Sequence, residues 1–377
     1  MSKGSSKIYH KKILFLYLSK ELLLYFFVCF LFFFFIFFVN NILLMAEDIL
    51  SKHAPFKDVM LLMFYSLPMI IANSAPFAAL VGTLMCIGRF FSDLEFLAMN
   101  ALGVSMKFLL VPVLAVGLFI SIVSFFTNDV LLPASFIQLR KVYWDISTST
   151  PALELESYSI KKNQNAVVIS GLIKDGIIDE LLIIDKGENK ESRILGGKKS
   201  ELKKSTDPAV IMTLDMNEPQ MLIIDGKDEK KYDSIVGKKI AYNVLAKNIN
   251  PVYFNALGPS DMTSYDLYKD IQTRKKNNED KRLLNIYNME FHKKFSIPFG
   301  ALFFVFLAFG ISSVGKVHNQ SVGFILGLLI AVAYWAVLMG GQEISLTFDV
   351  SGAFMMWLPN ILLLIVGGIL LGRRLFR

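Results

Sequence analysis

Few residues in this sequence have the types and spacing that a catalytic or nucleotide-binding site needs. The nearest match to a phosphate-binding loop, Gly196-Gly197-Lys198-Lys199-Ser200, lacks the leading glycine and the Gly-Lys-Ser/Thr order of that motif. Cys29 and Cys86 lie inside apolar runs and the four histidines are scattered, so the spacing that a metal site requires is absent. The sequence therefore predicts no enzyme active site, no metal site and no cofactor bound by this chain.

The most informative polar residues lie in a short segment, residues 89–107, between two apolar runs. Its apolar residues recur at helical spacing, and they are Phe91, Leu94, Leu97, Ala98, Ala101 and Leu102. Asp93 and Glu95 lie near the start of this predicted helix, where the helix dipole favours negative charge, and Gly103 ends it. The apolar face of such a helix must be buried, either against its own helical bundle or in a groove on a partner protein. The pattern leaves both alternatives open.

Six long runs without a charged residue surround and follow this segment. A charge at mid-bilayer costs about 2.5–3.5 kcal/mol on insertion scales, so uncharged runs of this length predict transmembrane helices. With 54% hydrophobic residues and a mean hydropathy of +0.50, the whole composition agrees with a membrane protein. The six runs are residues 22–39, 59–88, 108–128, 295–315, 321–342 and 350–372. They form two groups of three, separated by a long polar region.

The distribution of Lys and Arg predicts the orientation of these spans. With the N-terminus inside the cell, eleven Lys/Arg of the short segments face the cytoplasm and only Lys52 and Lys57 face outward. The net charge of +7 is explained by this asymmetry, because residues 129–294 carry 26 Lys/Arg against 24 Asp/Glu. Nucleic-acid binding is therefore not expected. Both termini should be cytoplasmic, and the polar region should be extracytoplasmic.

The polar region is typical of a β-domain. Residues 166–170, 181–185, 210–214 and 221–225 are short aliphatic runs separated by Gly- and Asp-containing turns. This spacing predicts an antiparallel sandwich or an open jelly-roll. Residues 264–288 are helical in pattern and predict a stalk that returns to the membrane. The predicted domains are residues 1–128, 129–290 and 291–377.

Several segments resemble the LptF/LptG permease family of lipopolysaccharide export transporters. The similar pieces, in chain order, are residues 17–23 (YLSKELL), 95–103 (EFLAMNALG), 128–133 (NDVLLP), Met262-Thr263 with Leu267, 290–295 (EFHKKF) with Pro298, 321–324 (SVGF) and 357–360 (WLPN). Each piece alone is a weak signal. Their order within a matching arrangement of spans is specific, and it covers nearly the whole chain.

The resemblance implies a transport subunit in the bacterial inner membrane, not an enzyme. Two family members, one of each type, would form a heterodimer, and a cytoplasmic ABC ATPase dimer would bind ATP and dock on coupling helices. Here the coupling helix would be residues 89–105. Glu95 would sit in a groove of the ATPase, and Arg89, Phe91, Asp93 and Gly103 would belong to the same docking site.

The resemblance also implies the path of the substrate, a lipopolysaccharide or related glycolipid. It would enter the cavity between the two subunits through lateral gates formed by spans one and five, and pass through the β-jellyroll-like domain to a periplasmic bridge protein of the same fold. The candidate gate and substrate residues are Phe30, Phe33, Phe34, Phe37, Lys52 and Phe324. A different class stays open, a structural or signalling membrane protein whose β-domain binds a periplasmic partner.

Overall fold

A computed structural model describes most of the chain. The described residues are 3–50, 55–149, 157–162, 166–174, 177–186, 192–204, 210–224, 232–245, 258–314, 319–348 and 350–375.

The first half of the helical part contains five α-helices. They are α1 (Lys3–Leu50), α2 (Phe56–Ser92), α3 (Glu95–Ala101), α4 (Met106–Phe126) and α5 (Leu132–Ser149). A π-helical turn, Thr127–Leu131, joins α4 to α5 without a break in the helix. The predicted domain boundary at residues 128/129 therefore lies within a continuous helix.

The described residues of the second half form four more α-helices. They are α6 (Ser264–Lys276), α7 (Lys281–Ser313), α8 (Gln320–Phe348) and α9 (Gly352–Leu375). The stalk predicted over residues 264–288 consists of α6 and the first turns of α7, with a turn between them. Thr263 caps α6, because its side chain accepts a hydrogen bond from the Asp266 amide.

The six predicted transmembrane helices are confirmed as six long apolar helices. Among the described residues, the stretches long and apolar enough to cross a membrane are Lys12–Met45, Phe56–Ser92, Met106–Val142, Lys281–Ser313, Gln320–Phe348 and Gly352–Arg373. Four of the six extend beyond their uncharged runs at both ends, and the fourth span extends beyond its run at the start, because helical structure continues into the polar flanks. The sixth covers nearly the same residues as its run. The first span is the least covered by the rest of the protein, and the second is the most covered.

Close backbone contacts hold the second span at the centre of the bundle. A Cβ atom on Gly82 of α2 would lie 2.9 Å from the backbone of Phe26 on α1. A Cβ atom on Gly323 of α8 would lie 2.8 Å from the carbonyl oxygen of Leu84 on α2. Only glycine allows helices to approach so closely, which is why small residues mark helix contacts in membranes. Around these contacts lie the two largest apolar clusters of the structure.

The described residues of the polar middle form one antiparallel sheet of eight strands. They are β1 (Ile160–Lys162), β2 (Ala166–Ser170), β3 (Ile173–Lys174), β4 (Ile177–Lys186), β5 (Ser192–Lys204), β6 (Val210–Ile224), β7 (Tyr232–Val236) and β8 (Lys239–Leu245). The order is β1-β2-β4-β5-β6-β7, with β3 on β4 and β8 on the first half of β6. The prediction of an inserted antiparallel β-domain is confirmed.

The core of the sheet is a small cluster of apolar side chains. Its buried members are Ile178, Leu181, Ile183, Leu195, Leu214 and Met216. Tyr242 of β8 lies beside this cluster and donates a hydrogen bond to Asp185 of β4 at 3.2 Å. Burial and the Asp185 carboxylate raise the pKa of Tyr242 to about 12. The hydroxyl is therefore neutral at physiological pH and available as a donor.

The chain as a whole forms two compact units. One contains residues 1–42, 66–136 and 259–377, and the other contains residues 43–65 and 137–258. The first unit carries most of the helical bundle, and the second carries the sheet.

Candidate functional site

The segment between the second and fourth helices is a short helix between two left-handed residues. The helix predicted over residues 89–105 is divided, because α2 continues to Ser92 and α3 starts only at Glu95. Leu94 separates them with φ 57°, and Gly103 ends the segment with φ 80°. The amides of Leu102, Gly103 and Val104 bond back to carbonyls of α3, which completes its C-terminal turn. The ending at Gly103 agrees with the prediction.

The two faces of α3 have different environments. Phe96 and Met99 are buried in the bundle, and the Phe96 ring stacks on that of Phe91 at 4.5 Å. On the other side, Leu94, Leu97 and Leu102 are 63%, 64% and 83% exposed. We call these three leucines the leucine patch. Of the predicted apolar stripe, only Phe91 is partly covered by the bundle, and the remainder is open to solvent.

Arg89 is the centre of a group of ion pairs at the end of α2. Its guanidinium lies 3.1 Å from Glu21 of α1, 3.5 Å from Asp93 and 3.6 Å from Glu95. The side chain of Arg89 is only 24% exposed. A guanidinium has five N–H donors in a fixed plane, so one side chain can serve several carboxylates. The sequence-predicted residues Arg89, Asp93 and Glu95 are thus brought together.

Tyr17 of α1 completes this group. Its hydroxyl donates to Glu95 at 3.0 Å, and a guanidinium N–H of Arg89 donates to the same hydroxyl at 3.4 Å. We call Tyr17, Glu21, Arg89, Asp93 and Glu95 the Arg89 cluster. Sequence reasoning missed Tyr17 and Glu21 as site residues, although both lie in the family-like segment 17–23. Their spacing of four residues, which places two polar groups on one helix face, is the signal that could have found them.

The phenylalanines predicted as gate residues lie mostly against other helices. Phe33 is 6% exposed and packs on Phe77 of α2. Phe30, Phe34 and Phe37 are partly covered, with Phe30 and Phe34 in ring contact at 6.0 Å. The exposed phenylalanine rings of α1 are Phe27, Phe32 and Phe35, which the prediction did not include. Lys52 lies outside the described residues.

Spans one and five, α1 and α8, touch each other within this chain. The ring of Phe324 lies edge-on to that of Phe32, with centroids 5.5 Å apart. One helical turn earlier on α8, the Gln320 amide donates to the Tyr25 hydroxyl at 3.0 Å. Phe324, predicted as a gate residue, is therefore placed at a contact between the two spans.

Three of the family-like segments meet at one place in the bundle. The Asp129 carboxylate, in the π-helical turn, accepts hydrogen bonds from the Ser264 amide at 2.6 Å and from its hydroxyl at 2.9 Å. Asn128 donates to the carbonyl of Lys294 at 3.3 Å. The side chain of Lys294 is buried and donates to the Ser260 carbonyl at 3.4 Å. One polar cluster thus links the end of α4, the start of α6 and α7.

The sheet has a broad groove and an open edge. The groove has a volume of about 910 Å³. Its lining includes apolar residues such as Ile169 and Leu182 and charged residues such as Lys198 and Lys238. The edge is β7, which pairs only with β6 among the described strands and whose five residues are all exposed. An unpaired edge offers backbone N–H and C=O groups to a further strand.

A search for metal ligands found no group of three or more His, Cys, Asp or Glu side chains that could hold an ion within the described part of the chain. Both Cys29 and Cys86 are free thiols buried in the bundle.

Comparison with known proteins found one family. Residues 16–373 match the family described as lipopolysaccharide export system permease LptF/LptG. A search of curated proteins found no match to the chain.

Proposed function

This chain belongs to the LptF/LptG family of lipopolysaccharide export permeases, and we propose that it is one permease subunit of an ABC transporter that extracts lipopolysaccharide or a related glycolipid from the inner membrane. In this proposal both termini and α3 face the cytoplasm, and the sheet faces the periplasm. The distribution of Lys and Arg beside the spans supports this orientation.

The observation that carries the proposal is the exposed surface of α3. The leucine patch has no cover among the described residues, and Glu95 lies in the first turn of the same short helix. Apolar side chains next to a carboxylate, on a helix held rigidly by Phe96 and Met99, suit a groove on a partner protein that offers apolar walls and a basic group. We propose that a cytoplasmic ATPase dimer supplies this groove and binds the ATP.

The first span supports a lipid path along its outer surface. Phe27, Phe32 and Phe35 are exposed on α1, and Phe32 meets Phe324 of α8. Aromatic and aliphatic side chains on a little-covered span suit acyl chains. We propose that this surface faces a second permease subunit of the family, and that spans one and five together line the lateral gate. The earlier candidates Phe30, Phe33, Phe34 and Phe37 would then hold α1 in place behind the gate, and Lys52 stays a candidate contact for the phosphosugar.

The sheet supports transfer to a periplasmic partner. The groove offers apolar and charged side chains together, as an amphipathic lipid requires. The β7 edge is open to pairing with a strand of a bridge protein that has a β-jellyroll fold. We propose that lipid passes along this sheet to that protein.

Copurification of the ATPase tests the proposal. We expect Leu97→Asp to release the ATPase from the gently solubilised complex, because a carboxylate in the leucine patch would be buried without a partner, at a cost of about 1–3 kcal/mol or more. Glu95→Lys should release it by reversing the charge at the groove.

The matched control is Asn100→Asp, which places the same carboxylate on the exposed surface of the same helix. It should leave the ATPase bound. Retention of the ATPase by both Leu97→Asp and Glu95→Lys would contradict the proposal, as would a wild-type chain that functions without any ATPase. The latter result would favour a structural or signalling protein.

A further inference from the structure

We propose that Tyr17 and Glu21 of the first span are positioning residues for Glu95, through which docking on α3 is transmitted to α1. The inference rests on the proposed function, because it takes α3 as the docking helix. It adds a route from that helix to a transmembrane span that lies 78 residues earlier in the chain.

The first step of the route is a direct hydrogen bond. The Tyr17 hydroxyl donates to Glu95 at 3.0 Å, with the second carboxylate oxygen at 3.3 Å. A bond to an ionised acceptor is short and strong. The carboxylate of the docking helix is therefore held by α1 before any partner arrives, in one orientation.

The second step is the guanidinium of Arg89. It pairs with Glu21 on α1 at 3.1 Å and lies 3.6 Å from Glu95, so the two carboxylates share one cation. Tyr17 and Glu21 are four residues apart and therefore lie on one face of α1. Displacement of Glu95 must either break these contacts or move α1 with it.

The third step is the low coverage of α1 by the rest of the protein. Of the six described spans, α1 is the least covered by the rest of the protein. Its close contacts lie on one side, where the backbone of Phe26 meets Gly82 and where Leu18 and Leu22 are buried. The Arg89 cluster lies at one end of this packed side, so it contributes to fixing the position of that end of α1.

The test distinguishes binding of the ATPase to α3 from the effect of that binding on α1. In Tyr17→Phe the ring and its contact with Phe90 remain while the hydroxyl is lost. We expect the ATPase to copurify as in the wild type, but lipid-stimulated ATP hydrolysis should fall about tenfold. A tenfold change corresponds to the lower end of the free energy that one hydrogen bond to a charged acceptor contributes. Tyr65→Phe on α2, outside the Arg89 cluster, is the matched control and should have no effect.

A distance measurement provides the readout that a merely structural role would not change. Spin labels at Leu24 of α1 and Leu118 of α4, both exposed, report movement of α1 within the bundle. ATP with vanadate should change this distance in the wild type and not in Tyr17→Phe, nor in the second variant, Glu21→Gln.

Equal movement and equal hydrolysis in the wild type and both variants, with the ATPase bound, would overturn the inference alone. Loss of the ATPase from Tyr17→Phe would also overturn it, because the residue would then act in docking. Absence of an ATPase from the wild-type complex would instead contradict the proposed function.

Discussion

Asp129 and Lys294 place charged groups where the third and fourth spans meet the segment that leads back from the sheet. Lys294 is buried, and Asp129 accepts two hydrogen bonds from Ser264. A buried charge is tolerated only when it is paired or well hydrogen-bonded. We therefore interpret these residues as a polar cluster that holds the end of α4, the start of α6 and α7 together.

Removal of the Asp129 carboxylate should lower the stability of the bundle. Asp129→Ala leaves the Ser264 amide and hydroxyl without their acceptor, which costs about 1–3 kcal/mol. Because Cys29 and Cys86 are buried, a thiol-reactive dye labels the native chain only as it unfolds, and the temperature of labelling measures stability. Asp129→Ala should lower this temperature.

The control for this variant is Glu343→Ala on α8. It also removes a carboxylate near the end of a span, but that side chain is exposed. Its labelling temperature should equal that of the wild type. An unchanged temperature for Asp129→Ala would show that the cluster does not stabilise the bundle.

At the residue scale, the identity of the site residues is easier to predict from the sequence than the contacts between them. Arg89 and Asp93 are four residues apart, so their association follows from helical spacing, and Glu95 follows closely in the chain. Tyr17 lies 78 residues from Glu95, and no local pattern links the two. The exposed rings of α1 could not be predicted either. A helix that is apolar on every face does not show which face packs against the protein.

At the scale of elements, the contact between α2 and α8 depends on glycine. Gly323 and Gly327 are four residues apart on α8, and a Cβ atom at Gly323 would overlap the Leu84 backbone. Backbone atoms cannot move aside as a flexible side chain can. The two helices must therefore separate if a side chain is added at this position.

We expect Gly323→Ala to lower the labelling temperature and Gly340→Ala to leave it unchanged or raise it. Alanine is more favourable than glycine in a helix by about 1 kcal/mol, so both substitutions gain the same helix propensity. A Cβ atom at Gly340 meets nothing within 4 Å, whereas that at Gly323 lies 2.8 Å from a carbonyl oxygen. Equal behaviour of the two variants would contradict the role of this contact.

Some strands of the sheet can be predicted from local sequence patterns, and others cannot. The prediction of β2 over residues 166–170 agrees with the structure, because Val167, Val168 and Ile169 are β-branched and favour a strand. The strands predicted at 210–214 and 221–225 form one strand, β6, since Glu218-Pro219 resembles a turn but only bends the strand. The whole of β5 was missed. Its Gly196-Gly197-Lys198-Lys199 has low strand propensity and is held in the sheet by its neighbours.

At the scale of the whole molecule, the positions of α3 and the sheet on opposite sides of the membrane are the central prediction. We expect a membrane-impermeant maleimide to label Tyr232→Cys, on β7, in intact spheroplasts. Lys107→Cys, at the start of α4, should be labelled only after the membrane is opened. Both positions are exposed, and the native cysteines are buried, so neither native thiol interferes.

Labelling of both positions from the same side would contradict the orientation and, with it, the proposed transport. The unsubstituted chain is the control for background labelling. This experiment depends on no partner protein, and so it tests the arrangement of the spans independently of the ATPase.

The left-handed residue Leu94 has a consequence for how the chain can respond to force. A leucine in this conformation costs about 1–2 kcal/mol, and it interrupts the helix between Ser92 and Glu95. The backbone from α2 to α3 is therefore not one continuous helix, and a displacement of α3 need not bend α2. In the proposed transporter, such a displacement would reach the first span through the side chains of the Arg89 cluster rather than through a helix backbone.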